Sequence, residues 1–140
     1  MGDEIPDEIK NLVGQYAGLG MPKLAMQVRE YLSGERQSFD YPWSLFKFKT
    51  DFQRTVLKEC SKIPFGETIT YSQLARAIGS PKAARAVGTA LGKNLYPIII
   101  PCHRVTRGDG TIGEYSIGGS DNKKWLLDFE KSRKNNKLSR

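Results

Sequence analysis

Apolar residues recur at helical spacing through several stretches of the chain, separated by glycines and prolines that mark where each stretch stops. The first, around Glu8 to Tyr16, is irregular and lies between glycines, so it predicts at most a short helix, with Asp7 as a candidate cap. The second is stronger: Pro22 suits a first helical turn, Leu24, Ala25, Val28, Tyr31 and Leu32 share one face, and Gly34 ends it. Between Gln37 and Phe48 the pattern changes to Phe39, Tyr41, Trp43, Phe46 and Phe48 around Pro42, which predicts an extended segment laying aromatic rings on the core. Thr50 or Asp51 then caps a third helix, with Phe52, Val56, Leu57 and Cys60 on its apolar face and Pro64 and Gly66 beyond its end.

Two short helical runs follow, Thr70 to Ile78 and Lys82 to Leu91, joined by Gly79-Ser80-Pro81. Two helices and a tight glycine turn are the pattern of a helix-turn-helix, a DNA-reading unit. The second helix is nearly bare, because Ala83, Ala84, Ala86, Gly88, Thr89 and Ala90 carry little bulk. Such a face admits either another helix of the same protein or a nucleic-acid groove, and Arg85, a long cation among small residues, favours an open face. Tyr96 to Pro101 predicts a buried strand or extended run that delivers Cys102, His103 and Arg104. A loop with Gly108, Gly110, Gly113, Gly118 and Gly119 follows, and a short helix from Lys123 to Glu130 turns Trp125, Leu126 and Phe129 inward.

With 140 residues, 39% of them hydrophobic and 26% charged, the chain is expected to form one compact domain. The net charge of +7 is unevenly spread: up to Thr50 there are six Lys/Arg against seven Asp/Glu, and from Asp51 onward sixteen against eight. A surplus confined to one part of a chain is a usual footprint of phosphate binding, although part of it here is the tail from Lys131 to Arg140, expected to be frayed and solvated. No apolar run reaches the length of a membrane span, and the acidic start is unlike a signal peptide, so a cytoplasmic, nucleoid-associated protein (nuclear if eukaryotic) with no membrane partner is expected. Two cysteines and one histidine exclude a four-ligand Cys/His zinc site, and no metal is expected.

Cys102 is the sharpest candidate for chemistry. A cysteine is often inert core, which is the reading for Cys60 on its apolar helix face. Cys102 differs because the chain's one histidine and then Arg104 follow it, and a neighbouring imidazole or cation stabilises thiolate, the attacking form. His103 could equally be a hydrogen-bonded structural residue. Adjacent residues on a strand face opposite ways, so a relay between the two needs a turn or a bridging water.

The string from Pro97 to Val105, preceded by Asn94, resembles the active-site motif of the O6-alkylguanine-DNA alkyltransferases, the methylated-DNA–protein-cysteine methyltransferase family. Further blocks match in order: Ile63-Pro64-Phe65-Gly66-Glu67, Thr70 to Ala75, Lys82 to Gly88, Tyr115-Ser116 with Gly118-Gly119, and Lys124 to Leu127 with Glu130. The resemblance implies an α/β, mostly α, fold: a compact alkyltransferase C-terminal domain with helix-turn-helix at 51–130, a shortened N-terminal region at 1–50, and a basic flexible tail at 131–140. It implies a suicidal, single-turnover repair reaction in which Cys102 takes the alkyl group from O6 of guanine. By the same match His103 deprotonates Cys102 through a water, Glu130 orients His103, and Asn94 holds the active-site turn. Tyr71 would donate to the guanine ring, and Lys123, Ser116 and backbone around Val105 and Tyr115 would bind the base. Arg85 would fill the gap left by a flipped base, Ala84, Ala86 and Gly88 would approach the minor groove, and Ser72, Ser80 and Lys82 would touch the backbone. No cofactor is implied, and the expected partner is double-stranded DNA carrying O6-alkylguanine, bound by a monomer.

The chain departs from the family pattern in its short N-terminal region, in the Arg107-Gly108-Asp109-Gly110 loop, and in Ile117 between Ser116 and the glycine pair. Two other readings compete. An alkyltransferase-like lesion-binding protein would recognise the damage without transferring the group, but those relatives lack the cysteine. A helix-turn-helix regulator would read the major groove with polar side chains, which the small residues of Lys82 to Leu91 do not supply.

Overall fold

The first helix, α1 (Asp7–Gly18), is longer than its sequence suggests, and Asp7 is its first residue rather than its cap, a position Pro6 holds without a side-chain bond. The reason is tertiary: Ile9, Leu12 and Tyr16 form one buried stripe, and packing of that stripe supplies what local propensity lacks. In this computed structural model, which describes residues 4–134, α1 packs against α2 (Pro22–Leu32). Pro22 opens α2 as expected, and Gly34, just beyond its end, adopts the left-handed conformation with φ of 87°. Gln27, buried on α2, exchanges two hydrogen bonds with the backbone of Asp40 and so clamps the aromatic segment to the helix.

That segment is extended apart from a single 3-10 turn at Trp43–Leu45. Phe46 is its buried anchor, with its ring centroid 4.2 Å from that of Tyr96, and Trp43 stacks beside Phe48. Thr50 caps α3 (Asp51–Cys60) by accepting from the Gln53 amide. Here the apolar face is not the expected one: Phe52 is exposed and Gln53 is buried. Gln53, Val56, Leu57 and Cys60 are spaced three and four apart and form the inward stripe, from which Phe52 is one residue out of phase. The Gln53 side chain is satisfied by the backbone, donating to the Lys93 carbonyl and accepting from the Lys49 amide.

The helix-turn-helix is formed by α4 (Tyr71–Ala77) and α5 (Ala84–Gly92), which pack on each other and on α3. A reciprocal capping box between Thr70 and Gln73 starts α4, and Gly79, with φ of 80°, makes the turn. α5 starts at Ala84, two residues later than expected, because Ser80 to Ala83 close a turn through the Ala83 amide and the Ser80 carbonyl.

The run from Tyr96 to Pro101 is buried as expected but is not a strand. Pro97 and Pro101 remove the amide donors a ladder would need, Ile98 takes φ of 71°, and the chain folds back so that the Ile100 amide bonds the Tyr96 carbonyl at 2.9 Å. The Tyr16 hydroxyl of α1 donates to the Pro97 carbonyl and ties this knot to the N-terminal helices. Immediately after it, Cys102–Arg104 forms one 3-10 turn, and a two-residue parallel pairing joins β1 (Ile69–Thr70) to β2 (Val105–Thr106), with Ile69 opposite Val105. Neither strand was legible, because two residues carry no alternation.

The last helix, α6 (Gly119–Arg133), begins four residues before the predicted start and ends three after the predicted end. Gly118 precedes it with φ of 78°, and a Cβ there would collide with the Asn122 side chain, so glycine is required. At the other end the Arg133 guanidinium lies 4.2 Å from the Phe129 ring, so Lys131 to Arg133 continue the helix rather than the expected frayed tail; residues 135–140 lie outside the described residues. One hydrophobic cluster unites the molecule: Ile9, Leu12, Leu24 and Val28 join Leu57, Val87, Ile98, Ile100 and Leu126. The architecture is thus mostly helical with a minimal sheet, and the first 50 residues share its core.

Candidate active site and nucleic-acid interface

Where the helix-turn-helix meets the Cys102 turn, a cavity of about 250 Å³ opens between Tyr71 of α4, Gly88, Leu91 and Gly92 of α5, and Cys102, Glu114, Tyr115 and Ser116. Asn94 builds the cysteine wall. Its Nδ2 donates to the Ile100 carbonyl at 3.0 Å and lies 3.3 Å from the Cys102 Sγ, while its Oδ1 accepts from the Tyr96 amide at 2.9 Å. Asn94 therefore holds both ends of the folded-back run and touches the sulfur it presents.

Burial pushes the Cys102 thiol above its ordinary value, although the Asn94 hydrogen bond and the Lys123 charge pull the other way. The resting group is thus a thiol that needs a base. His103 is fully buried, and its Nε2 lies 2.7 Å from Oε2 of Glu130. Burial lowers the pKa of His103, outweighing the attraction of Glu130, so the imidazole is neutral near neutral pH. Burial acts to raise that of Glu130, but His103 and Arg104 outweigh it and hold the carboxyl well below the usual range. An ionised carboxylate only accepts, which assigns the imidazole proton to Nε2. Nδ1 is then the basic nitrogen, and it has no hydrogen-bond partner in the protein among the described residues. The 3-10 turn supplies the change of direction between Cys102 and His103 that a strand would not.

Lys123, buried on α6, donates to the Tyr71 hydroxyl at 3.3 Å and to the Glu114 carbonyl at 3.2 Å, and desolvation lowers its pKa to about 8. Because the Tyr71 oxygen accepts from Lys123, its own hydrogen is free for another acceptor in the cavity. Tyr115 and Ser116 stand in the cavity wall. Val105 does not: it is fully buried in β2, paired with Ile69, so its side chain belongs to the core.

Along α5 the small residues serve two faces. Val87, Ala90 and Leu91 point inward, whereas Arg85 and Ala86 are exposed and Ala84 is half-buried. One side of the bare helix is therefore packed inside the protein and the other is open. Gly88 joins them, since a Cβ there would stand 3.7 Å from the Tyr71 ring at the cavity mouth. Ser80 and Lys82 lie in the turn between the two helices, half-buried and exposed respectively, and Ser72 is exposed in the first turn of α4.

Two residues of the site escaped sequence reasoning. Arg104 is buried, and its Nε and Nη2 grip the two oxygens of Glu130, each at 2.8 Å, while Nη1 donates to the Ile63 carbonyl. A buried cation demands a buried anion, and Glu130 lies with Leu126 and Phe129 on the inner face of α6, but the run expected to be buried stops at Pro101, so Arg104 carried no such signal. Tyr31, from α2, donates to Oε2 of Glu130 at 2.6 Å. Among the described residues no group of three or more His, Cys, Asp or Glu side chains is assembled that could hold a metal, and no helix is long and apolar enough to cross a membrane.

The pH dependence of stability follows from these shifts. The unfolded chain begins to protonate its histidine near pH 6.5, where folded His103 remains neutral, and Glu130 takes up its proton well below the ordinary 4.5. In both windows the unfolded state binds more protons, so stability falls as pH falls. The melting temperature is expected to decline steadily below about pH 6.5 in a thermal-unfolding series. A maximum at pH 4 to 5 would contradict these assignments.

Fold and site together define a helix-turn-helix domain built around a single thiol with a histidine–carboxylate pair behind it. The family model for the DNA-binding domain of 6-O-methylguanine DNA methyltransferase matches residues 51–132, and the chain belongs to that family. It is 58% identical over 80 residues to a methylated-DNA–protein-cysteine methyltransferase of Mus musculus, covering 56% of this chain and 38% of that one. With the protein of the same name from Methanosarcina barkeri it shares 46% identity over 108 residues, covering 77% of this chain and 66% of the relative. The crystal structure of Mycobacterium tuberculosis OGT in complex with DNA superposes with a TM-score of 0.73 at 43% identity, covering 81% of this chain and 67% of that one. The chain thus spans between about two fifths and two thirds of the length of these curated relatives.

Proposed function

We propose that the protein repairs duplex DNA by moving the alkyl group of O6-alkylguanine irreversibly to Cys102, one group per molecule. The observation that carries this reading is the cavity itself: one buried thiol shares a pocket with Tyr71 and Gly88, residues of the two helices of a DNA-reading unit. In the reaction the Cys102 proton passes through a water to Nδ1 of His103, and the imidazolium so formed is stabilised by Glu130. The thiolate sulfur attacks the alkyl carbon, the bond from that carbon to O6 breaks, and the electron pair leaves on the guanine. The Tyr71 hydroxyl, its oxygen already engaged by Lys123, donates to the guanine ring as charge develops there, and Ser116 and backbone near Val105 and Tyr115 hold the base. Asn94 keeps the sulfur in line. No metal or organic cofactor takes part.

An O6 adduct lies inside the base stack, so the nucleotide must leave the duplex to reach the thiol. Exposed Arg85 would enter the stack in its place, with Ala84, Ala86 and Gly88 letting α5 approach the minor groove and Ser72, Ser80 and Lys82 meeting phosphates. The lesion-binding alternative requires no thiol, whereas this site is organised around one. The protein would act as a monomer in the cytoplasm at the nucleoid, or in the nucleus of a eukaryote, with residues 51–130 holding the chemistry, residues 1–50 an accessory region and the basic tail an adjunct.

Arg85→Ala tests the base-flipping step. Repair of a duplex is expected to slow by on the order of 10-fold or more, while reaction with free benzylated guanine, which needs no flipping, stays close to wild type. Equal losses on both substrates would remove Arg85 from that role.

A further inference from the structure

Glu130 accepts from five donor groups: Nε and Nη2 of Arg104, the Gly66 amide, Nε2 of His103 and the Tyr31 hydroxyl. Four of them belong to the segment matched by the family model, residues 51–132; the Tyr31 hydroxyl does not. Tyr31 comes from the N-terminal region and makes the shortest of these contacts, 2.6 Å, to the same oxygen that His103 uses. Its ring is fully buried against Phe39, Phe65 and Phe129, with centroids 5.4 to 5.9 Å away, so the direction of its hydroxyl is fixed. Burial, with Glu130 beside it, raises the phenol pKa far above its ordinary value, so the group is a donor near neutral pH.

We propose that Tyr31 is a positioning residue for the histidine–carboxylate pair, through which the N-terminal region sets the basicity of His103. An oxygen that already accepts a short hydrogen bond is a weaker partner for a second donor. Tyr31 thereby moderates the pull of Glu130 on the imidazole proton. Without it, the carboxylate would favour the imidazolium more strongly, and less of His103 would be free to accept the proton of Cys102. The other groups facing His103 are Arg104 from the same turn, Lys123 from α6 and the ring of Tyr115; of these only Arg104 also donates to Oε2, through Nη2 at 2.8 Å, so Tyr31 is the one donor to that oxygen, among the described residues, from outside the matched segment. The proposal rests on the reading of His103 as the base in alkyl transfer, and gives a residue outside the segment matched by the family model a part in that reaction.

His103 is the chain's one histidine, so its imidazole signals are unambiguous in the full-length protein. Tyr31→Phe keeps the ring and deletes the donor. By NMR of nitrogen-labelled imidazole from about pH 5 to about pH 8, the Nε2 proton is expected to move downfield and the His103 midpoint to rise by roughly half a unit. The acid limb of the alkylation rate should shift with it, a loss of about threefold on that limb that disappears at higher pH. Tyr31→Leu should produce the same shift with a larger fall in melting temperature, which separates the hydroxyl from ring packing. If Tyr31→Phe leaves both the Nε2 proton and the midpoint in place, the hydroxyl is only a satisfied core group and the proposal is overturned. The NMR signals report this coupling whether or not an alkyl group is transferred, so its failure is distinguishable from failure of the functional reading.

Discussion

Cys102→Ser is expected to abolish alkyl transfer, by on the order of 10⁴-fold or more, while binding to alkylated duplex remains near wild type. The hydroxyl is nearly isosteric with the thiol and can still meet Nδ2 of Asn94, so the cavity and the helix-turn-helix surface stay as they are. What is lost is the soft nucleophile. The buried thiol already resists ionisation, and a hydroxyl in its place, far less acidic, would not be ionised by a neutral imidazole. The second cysteine cannot substitute: Cys60 is fully buried on the inner face of α3 and is not part of the cavity wall. Single-turnover assays with this variant, paired with binding titrations, check the expectation; retained transfer would take the reaction away from Cys102.

The second large effect is on stability. Glu130→Gln preserves shape but offers one accepting oxygen and one donating amide to a set of five donors. It leaves the Arg104 guanidinium buried without a counter-charge, and breaking a buried pair in this way costs about 3 to 5 kcal/mol. For a domain of this size the melting temperature should fall by roughly 10 to 20 °C, and His103 would lose the carboxylate that fixes its proton on Nε2. The exposed pair Lys124–Asp128, 2.7 Å apart on the same helix, provides the contrast. Lys124→Ala should change stability by less than about 1 kcal/mol, because water already solvates both ends. If scanning calorimetry gives the two variants similar melting temperatures, the buried cluster is not the structural centre described above.

These two variants also mark what could be read from the sequence. The thiol, its histidine and Asn94 lie within ten residues, and the helix-turn-helix announces itself through two short helical runs, a glycine turn and small residues, all local signals. Helix α2 was legible from Pro22, its apolar spacing and Gly34. The misreadings are equally physical. Phe52 looked like core because it is aromatic, yet the inward stripe of α3 runs through Gln53, whose polarity is absorbed by backbone partners from elsewhere in the fold. Tyr96 to Pro101 looked like a strand because it is apolar, but its prolines and the left-handed Ile98 fold it on itself. The contacts around Glu130 join residues 26 positions apart to Arg104 and 99 apart to Tyr31, and no periodicity within one element encodes them. The family resemblance pointed to the pairing of Glu130 with His103, and nothing local pointed to Arg104 or Tyr31 as its further partners.

The most direct test of the central claim is the intact mass of the wild-type protein after incubation with a duplex carrying a single O6-methylguanine, followed by peptide mapping. The account predicts a gain of one methyl group, about 14 Da, located on Cys102 and never exceeding one per molecule. Tight binding to the alkylated duplex with no change in mass would contradict it and would make the protein a lesion-recognition factor.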